Sequence, residues 1–289
     1  MKLRRALIRM LRPHQWVKNL FVLMPAVFAK ELLIREVVIR ALFAFVGFSL
    51  AASAIYILND LVDRKADRVH PVKCHRPIAS GAIGPGMAAT VAGLLLVGAI
   101  GIGFTINGAF VLFTLAYIGL NVAYSLRLKN IAYVDVICIA TGFELRVLAG
   151  SVAVNVAPSG YLLVVTFVLA LFLAFGKRFH ELIQGKAAVR QRESLRGYNS
   201  GVAQGALYTT GGLTIIAYAA YTLDPSTQHF FQTGYLFLTT LFVAFGIARF
   251  NFLIRHKNTA ESPTEKMLTD IPFLMNILLW GACVVILIY

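Results

Sequence analysis

Long apolar stretches separated by short polar segments dominate the chain. Residues 37–58, 87–106, 161–175 and 235–250 are almost free of charged side chains. A helix needs about 20 mostly apolar residues to cross a bilayer. The pattern therefore predicts an all-α polytopic membrane protein with nine transmembrane helices. Their predicted ranges are 17–34, 37–58, 86–106, 108–126, 131–153, 159–178, 205–222, 232–250 and 270–289.

Turn-forming residues fall between the predicted helices. Asn107 precedes a glycine, Pro158 interrupts residues 155–160, and Asp224 precedes Pro225. Residues 262–265 have the pattern of a helix N-terminal cap. We expect one domain, 1–289, in which residues 1–16 form a basic segment at the membrane interface. A basic flank that only fixes the topology would have the same composition.

The low content and the distribution of charged residues support the prediction of a membrane protein and indicate its orientation. Only 14% of residues are charged and 58% are hydrophobic, whereas a soluble domain is nearer a quarter charged. The net charge of +14 does not indicate a nucleic-acid partner, because all but four of the 27 basic residues lie at the N-terminus or in alternate loops. The positive-inside rule then places the N-terminus in the cytoplasm and Tyr289 outside the inner or plasma membrane.

Four polar residues at the end of the second predicted helix are the strongest chemical signal. Asn59, Asp60, Asp63 and Asp67 would cover about 100° of one continuous helix face. Carboxylates this close repel one another unless a cation lies among them, and Mg²⁺ takes one or two carboxylates together with phosphate oxygens. The motif predicts a Mg²⁺–diphosphate site at the membrane surface. The alternative is a solvated helix end whose aspartates pair with basic residues one turn away.

Basic and polar residues in the loops are candidates for contacts with phosphate. Arg76 can bind phosphate through two N–H groups, and Lys73 can bind it as a point charge. Both residues could instead only set the topology. Tyr124 and Lys129 close the fourth predicted helix and join this set.

Ionisable residues within the predicted spans indicate an internal polar cavity, since exposure to lipid is costly. Asp135 and Arg146 would lie on nearly the same side of the fifth helix, whereas Glu144 points elsewhere and is expected to pair with another helix. A purely structural role is the alternative for Glu144 and Arg146. Another cluster, at the end of the sixth helix, contains Lys177, Arg178 and Glu181.

These motifs resemble the UbiA superfamily of intramembrane prenyltransferases over essentially the whole sequence. The matching features are the helix pattern, the N-D-x-x-D-x-x-x-D motif at 59–67 and the polar cluster at 177–181. The resemblance implies a helical bundle around a central cavity, with Mg²⁺ held between two cytoplasmic motifs. The second motif departs from the usual D-x-x-x-D, because it reads K-R-F-H-E here.

Residues 12–19 and 124–130 are similar to the decaprenyl-phosphate phosphoribosyltransferase branch of that superfamily. The resemblance implies transfer of phosphoribose from phosphoribosyl diphosphate to a polyprenyl phosphate, with membrane lipids around the protein. The additional positive charge suits several phosphate groups. Prenyl transfer to an aromatic acceptor stays an alternative, and a transporter using Asp135, Glu144 and Arg146 is a remote one. The sequence leaves a monomer and a homo-oligomer open.

The resemblance and the chemistry together suggest a role for each candidate. The predicted metal ligands are Asn59, Asp60, Asp63 and Asp67. The predicted catalytic residues are Asp60, Asp63, Asp67, Lys129 and Asp135. The predicted substrate-binding residues are Lys18, Asn59, Lys73, Arg76, Tyr124, Arg146, Lys177, Arg178 and Glu181. Among these, Lys18 and Arg146 are the candidates for the lipid phosphate.

Overall fold

The computed structural model describes residues 3–70, 72–184, 193–255, 266–267 and 269–289, and every regular element within them is helical. The α-helices are α1 (Leu3–Leu11), α2 (Met24–Phe28), α3 (Arg35–Val62), α4 (Arg64–Arg68), α5 (Pro85–Ile106), α6 (Gly108–Leu126), α7 (Val134–Val154), α8 (Gly160–Ile183), α9 (Ser200–Leu223), α10 (Pro225–Phe231), α11 (Thr240–Arg255) and α12 (Ile271–Ile288). The 3₁₀ helices are Pro13–Val22, Lys73–His75, Leu128–Asn130, Glu193–Gly197 and Tyr235–Thr239. The cap predicted at 262–265 lies outside the described residues.

Seven helical segments in the described part of the chain are long and apolar enough to cross a membrane. They are α3, α5, α6, α7, α8, the continuous segment Tyr235–Arg255 and α12. The predicted membrane-protein class is thereby supported, although the count of nine is not. Helix α9 matches the predicted helix at 205–222, but it is not one of the seven.

The predicted helix at 17–34 is wrong. This part of the chain forms the 3₁₀ helix Pro13–Val22 and the five-residue α2, then turns before α3. Proline breaks the hydrogen-bond ladder because it has no N–H, and Pro25 lies in the first turn of α2. Contacts with α3 hold the 3₁₀ segment in place, and one of them is Asn19 Nδ2 donating to Ser49 Oγ at 3.0 Å.

Turn residues separate consecutive helices where the sequence predicts. Asn107 caps α6 by accepting from the N–H of Phe110 at 2.7 Å. Asp224 caps α10 by accepting from the N–H of Thr227 at 3.1 Å. The predicted helix at 232–250 is divided, however, into the 3₁₀ helix Tyr235–Thr239 and α11.

The chain divides into two compact units, each with its own apolar core. The first unit comprises 1–129 and 142–158, and the second comprises 130–141 and 159–289. In the first unit, Phe48 of α3 and Phe110 of α6 are fully buried with Ala149 of α7. In the second, Phe172 of α8 is packed with Phe250 of α11. Helix α7 contributes to both units, because the division falls within it.

Helix α1 is basic on one face and packs against α3 with the other. Ala6 and Met10 are buried in a cluster with Ala54 and Ile57 of α3. Its arginines are exposed on the other face. The N-terminal segment is therefore part of the first unit and more than a topology-setting flank.

Candidate active site

The aspartate motif lies where α3 meets α4. Asp60 is in the last turn of α3 and Asp67 is in α4, while Asp63 joins the two helices. The N–H of Asp63 donates to the carbonyl of Asn59 at 2.9 Å, and the N–H of Asp67 donates to the carbonyl of Asp63 at 2.8 Å. The α-helix is interrupted at Asp63, although both of these bonds keep the i→i−4 spacing of a helix, so the motif extends over two successive helices.

Asp60 is buried between two arginines. Nη2 of Arg12 donates to both carboxylate oxygens, at 2.6 Å and 2.8 Å. Nη1 of Arg76 donates to Oδ1 at 2.9 Å. The Asp60 side chain is only 3% exposed, so both guanidiniums act in a poorly hydrated environment. Charge-assisted hydrogen bonds are strong under those conditions.

Asp67 and Asp63 also meet cations, one from the following loop and one from beyond α6. Oδ2 of Asp67 accepts from Nη1 of Arg76 at 2.7 Å. Oδ1 of Asp63 accepts from the ammonium of Lys129 at 2.6 Å. The two aspartates differ in access, because the side chain of Asp63 is 30% exposed and that of Asp67 only 5%.

Three carboxylates are thus matched by three cations within the first unit. Arg12, Arg76 and Lys129 come from segments far apart in the sequence, not from the next turn of the same helix. Arg68, one of the neighbours expected in a solvated helix end, instead donates from Nε to the carbonyl of Ala79 at 3.2 Å. The motif is therefore the centre of a tertiary charge network.

The donor set of this network suits Mg²⁺ that arrives with a phosphate-bearing molecule. Among the described residues, no three acidic, histidine or cysteine side chains come together to hold a metal. Mg²⁺ commonly takes only one or two carboxylates and fills its other positions with water and phosphate oxygens. Asp63 fits that requirement, because it is partly exposed and engages Lys129 through one oxygen. Asn59, four residues before Asp63, is half-buried.

Arg146 is buried among neutral groups of the first unit. Its Nε donates to Asn19 at 2.9 Å, Nη1 to the carbonyl of Gly142 at 2.7 Å, and Nη2 to the hydroxyl of Tyr117 at 2.9 Å. The guanidinium also lies 5.6 Å from the ring centre of Phe48, within the range of a cation–π interaction. The arginine is 5% exposed, and this arrangement explains how a charge is tolerated within α7.

The other candidates of the first unit are more accessible than Arg146. Lys18, Lys73 and Tyr124 are each half-buried, on the 3₁₀ helix Pro13–Val22, the 3₁₀ helix Lys73–His75 and α6 respectively. For Glu144, no ion-pair partner is found among the described residues. One of its carboxylate oxygens is buried and has no hydrogen-bond partner among the described residues.

Asp135 lies at the centre of a buried network in the second unit. It is 0% exposed, and its Oδ2 is 3.1 Å from Nε of Arg178, which is 1% exposed. The two groups form an ion pair, but the N–H of Arg178 Nε is not directed at a hydrogen-bond acceptor among the described residues. Nη1 of Arg178 also donates to Glu181. Lys177 is half-buried next to this network in sequence. Asp135 and Arg178 are thus enclosed by protein.

Tyr198 completes that network. Its hydroxyl donates to Oδ1 of Asp135 at 2.5 Å and accepts from the N–H of Tyr133 at 3.0 Å. The Tyr133 and Tyr198 rings are 4.5 Å apart. Burial, followed by the hydrogen bond to Asp135, raises the pKa of the Tyr198 hydroxyl, so this group stays protonated and acts as a donor.

Sequence reasoning did not select Arg12 or Tyr198 as site residues. No spacing rule connects position 12 with position 60, and an arginine before a proline only indicates where a helix ends. Tyr198 follows the 3₁₀ helix Glu193–Gly197 and looks like an ordinary loop tyrosine. Both residues act through contacts that appear only after folding.

The described residues thus combine apolar helices that can cross a membrane with an aspartate motif at the end of one of them. The model of the UbiA prenyltransferase family matches residues 20–278. The chain belongs to this family and is an integral membrane protein.

The curated relatives of this chain include proteins named decaprenyl-phosphate phosphoribosyltransferase. The protein of Mycolicibacterium smegmatis is 39% identical over 199 residues, which cover 67% of this chain and 63% of that protein. The protein of Corynebacterium glutamicum is 33% identical over 289 residues, which cover 98% of this chain and 86% of that protein. The matched region is thus slightly less than two-thirds of the first relative and most of the second.

A solved UbiA homologue from Archaeoglobus fulgidus, bound to GPP and Mg²⁺, has the same fold. The TM-score is 0.71 at 20% identity, and the alignment covers 98% of this chain and 99% of the homologue. The predicted all-α UbiA-like fold is therefore confirmed. The roles assigned to individual residues remain predictions.

Proposed function

We propose that this protein transfers the 5-phosphoribosyl group of phosphoribosyl diphosphate to a polyprenyl phosphate and releases diphosphate. The observation that carries the proposal is the matching of the three motif aspartates by Arg12, Arg76 and Lys129. Such a site can place a metal diphosphate on its carboxylates while its cations bind phosphate oxygens. The two relatives named for this reaction support it.

The aspartate motif is the proposed metal-binding element. Mg²⁺, when bound, would neutralise the negative charge that develops on the leaving diphosphate. Asp63 and Asp67 are the primary candidates for holding it, with Asn59 as a further candidate, whereas Asp60, also a predicted ligand, is engaged by Arg12 and Arg76. The Mg²⁺ in the A. fulgidus homologue supports this requirement.

Neighbouring cations would hold the donor and stabilise its leaving group. Lys129 and Arg76 already lie at the aspartates, so phosphate oxygens can take the place of the carboxylates as their partners. Tyr124 is the candidate for orienting the ribosyl phosphate, and Lys73 for a further phosphate contact.

The reaction exchanges one bond at C1 of the ribose for another. The bond from C1 to the diphosphate oxygen breaks as an oxygen of the lipid phosphate bonds to C1 from the opposite face, with inversion. The lipid phosphate is already anionic near neutral pH and needs no strong general base. Lys18 is the more accessible candidate for binding it, because Arg146 is buried and engaged with neutral acceptors.

The proposed orientation places the aspartate motif and the N-terminus in the cytoplasm and the C-terminus outside. The distribution of lysine and arginine supports this orientation. A water-soluble, highly charged donor would then reach the motif without crossing the bilayer. The polyprenyl acceptor would remain in the membrane.

Prenyl transfer from an allylic diphosphate to an aromatic acceptor is the second candidate function. GPP bound to the A. fulgidus homologue favours it. The same aspartates would then bind the diphosphate of the lipid, and the acceptor would carry no phosphate. The fold fits both reactions, so the substrates must be distinguished by experiment.

Purified protein in lipid nanodiscs should be incubated with Mg²⁺, ribose-labelled phosphoribosyl diphosphate and decaprenyl phosphate. We expect label in the organic phase, a loss of at least 100-fold in Asp63→Asn, and no change in Glu36→Gln. Glu36 is a suitable control because its side chain is 73% exposed and pairs with Arg40 on the same helix. Transfer of a prenyl group to an aromatic acid, with no phosphoribosyl transfer, would contradict the proposal.

A further inference from the structure

We infer that Arg12 is a positioning residue that commits Asp60 to the protein scaffold and leaves metal binding to Asp63 and Asp67. This inference rests on the proposed function in so far as the motif binds a metal diphosphate. It separates the aspartates of one motif into two kinds. Asp60 orders the arginines, whereas Asp63 and Asp67 meet the substrate complex.

The backbone at Arg12 is built to present its side chain to Asp60. Arg12 has φ 53° and ψ 56°, the left-handed conformation that residues other than glycine rarely adopt. Such strain persists only where surrounding contacts fix it. Here Ser53 Oγ donates to the carbonyl of Leu11 at 2.9 Å and accepts from Nε1 of Trp16 at 2.9 Å. One serine of α3 thus fixes the chain on both sides of Arg12.

Packing and ring contacts add to that constraint. Met10 is 1% exposed within the cluster that joins α1 to α3 and α5. The guanidinium carbon of Arg12 lies 5.4 Å from the ring centre of Tyr56, where a cation–π interaction is favourable. The Arg12 side chain is 18% exposed, so it has little freedom to turn towards solvent.

Asp60 has little capacity left for a metal. A carboxylate offers roughly four acceptor positions, and Asp60 receives two hydrogen bonds from Arg12 and one from Arg76. A metal that displaced Arg12 would leave a constrained, largely buried guanidinium without its anion. Among the described residues, Asp67 and Asp63 differ because each carboxylate accepts one side-chain hydrogen bond from a cation, and the side chain of Asp63 is also 30% exposed.

Arg12 reaches the rest of the site through a chain of contacts. Asp60 holds Nη1 of Arg76, and the same nitrogen donates to Asp67 at 2.7 Å. Removing Arg12 therefore frees Asp60, which then competes with Asp67 for Arg76. The expected result is a disordered phosphate-binding arginine and a poorer KM for the diphosphate donor, while the metal ligands themselves stay in place.

Binding of Mn²⁺ in the presence of inorganic diphosphate, measured by electron paramagnetic resonance on full-length protein in nanodiscs, tests the inference. We expect Asp63→Asn to weaken Mn²⁺ binding at least 10-fold. Asp60→Asn and Arg12→Lys should each change it less than 3-fold. Arg40→Gln is the matched control, because its side chain is 45% exposed and pairs within one helix. Equal weakening in Asp60→Asn and Asp63→Asn would overturn the inference.

A double-mutant comparison tests whether Arg12 acts through Asp60. Arg12→Gln and Asp60→Asn should each raise KM for the donor more than they lower kcat. The double variant should be no worse than the poorer single variant, within 2-fold. Multiplied losses would show independent roles and overturn the inference. If Arg12→Gln fails to fold, Arg12→Lys and Asp60→Asn supply the same comparison.

The two experiments separate this inference from the proposed function. Mn²⁺ and inorganic diphosphate binding requires no phosphoribosyl transfer. A protein that shows the expected binding pattern but transfers a prenyl group would refute only the proposed substrates. A protein that transfers phosphoribose but needs Asp60 for Mn²⁺ binding would refute only the role of Arg12.

Discussion

Exchanging Asp135 for asparagine tests whether the buried acid of α7 supports the fold or contacts the substrate. Its Oδ1 accepts from Tyr198 at 2.5 Å, and its Oδ2 lies 3.1 Å from Nε of Arg178. The asparagine has nearly the same shape, so the main change is the loss of one negative charge. Arg178 then keeps only Glu181 as an anionic partner among the described ion pairs.

The expected loss of stability follows from burial. Asp135 is 0% and Arg178 is 1% exposed, and removing one member of a buried pair costs about 3–5 kcal/mol. Because Glu181 still contacts Arg178, we expect the lower end, about 3 kcal/mol. At about 2–4 °C per kcal/mol, Asp135→Asn should lower Tm by about 6–12 °C.

Thermal unfolding in detergent, followed by intrinsic fluorescence, measures this loss. The double variant Asp135→Asn with Arg178→Gln should recover part of it, because it leaves no isolated charge in the interior. Tyr198→Phe should lose about 1.5–3 kcal/mol, because it removes the hydrogen bond to a charged group and takes the acceptor from the N–H of Tyr133. Glu36→Gln serves as the exposed control.

An Asp135→Asn protein with unchanged Tm and at least 100-fold lower kcat would refute this reasoning. That result would mean that Asp135 contacts the substrate, as its position in the sequence suggests. Reduced stability with kcat within about 3-fold of the parent, under conditions where the variant is folded, would assign Asp135 to the scaffold.

Three further changes give distinct outcomes. A Cβ at Gly150 would lie 2.0 Å from a backbone carbonyl oxygen. Gly150→Ala should therefore lower the free energy of unfolding by about 1–3 kcal/mol, measured by thermal unfolding. Gly93→Ala is the control and should be nearly neutral, because a Cβ there meets open space. Lys129→Gln should raise KM for the donor about 10-fold, measured by initial rates, because an ammonium at the motif is lost. The hydrogen bond from Arg249 lowers the pKa of Asp270. The contribution of Asp270 to folding stability is therefore complete above the ordinary aspartate pKa and is lost as pH falls through the lowered value. Asp270→Asn should reduce this pH dependence in acid unfolding, and an unchanged unfolding profile would refute the prediction.

Features that depend on local chemistry were predictable from the sequence. Apolar length predicted most of the spans, and Asn107 and Asp224 begin helices where turn chemistry indicates. The same reasoning failed at residues 17–34. Hydropathy favours a helix there, but Pro25 interrupts the hydrogen-bond ladder, and tertiary hydrogen bonds to α3 stabilise a 3₁₀ segment instead.

Features that depend on pairing at a distance were not predictable. The aspartate motif suggested a metal because its carboxylates repel, yet Arg12 and Lys129 reach it from 48 and 66 residues away. Asp135 looked accessible as a cavity residue, whereas the structure encloses it with Arg178. Sequence spacing identifies which residues share a helix face, but it does not identify which distant residue comes to lie against that face.

The charge balance at the motif has a consequence for the order in which ligands enter. Asp60, Asp63 and Asp67 already have cationic partners, so a free divalent ion would add positive charge to carboxylates that are already balanced. Free diphosphate would separate a cation from its aspartate. When metal and diphosphate bind together, the metal takes the place of a protein cation at the carboxylates. The phosphate oxygens then take the place of the carboxylates at the protein cations, so each charged group keeps a partner of opposite charge. Such a site favours the preformed metal–diphosphate complex over either component, and the protein needs no bound metal to hold its aspartates together.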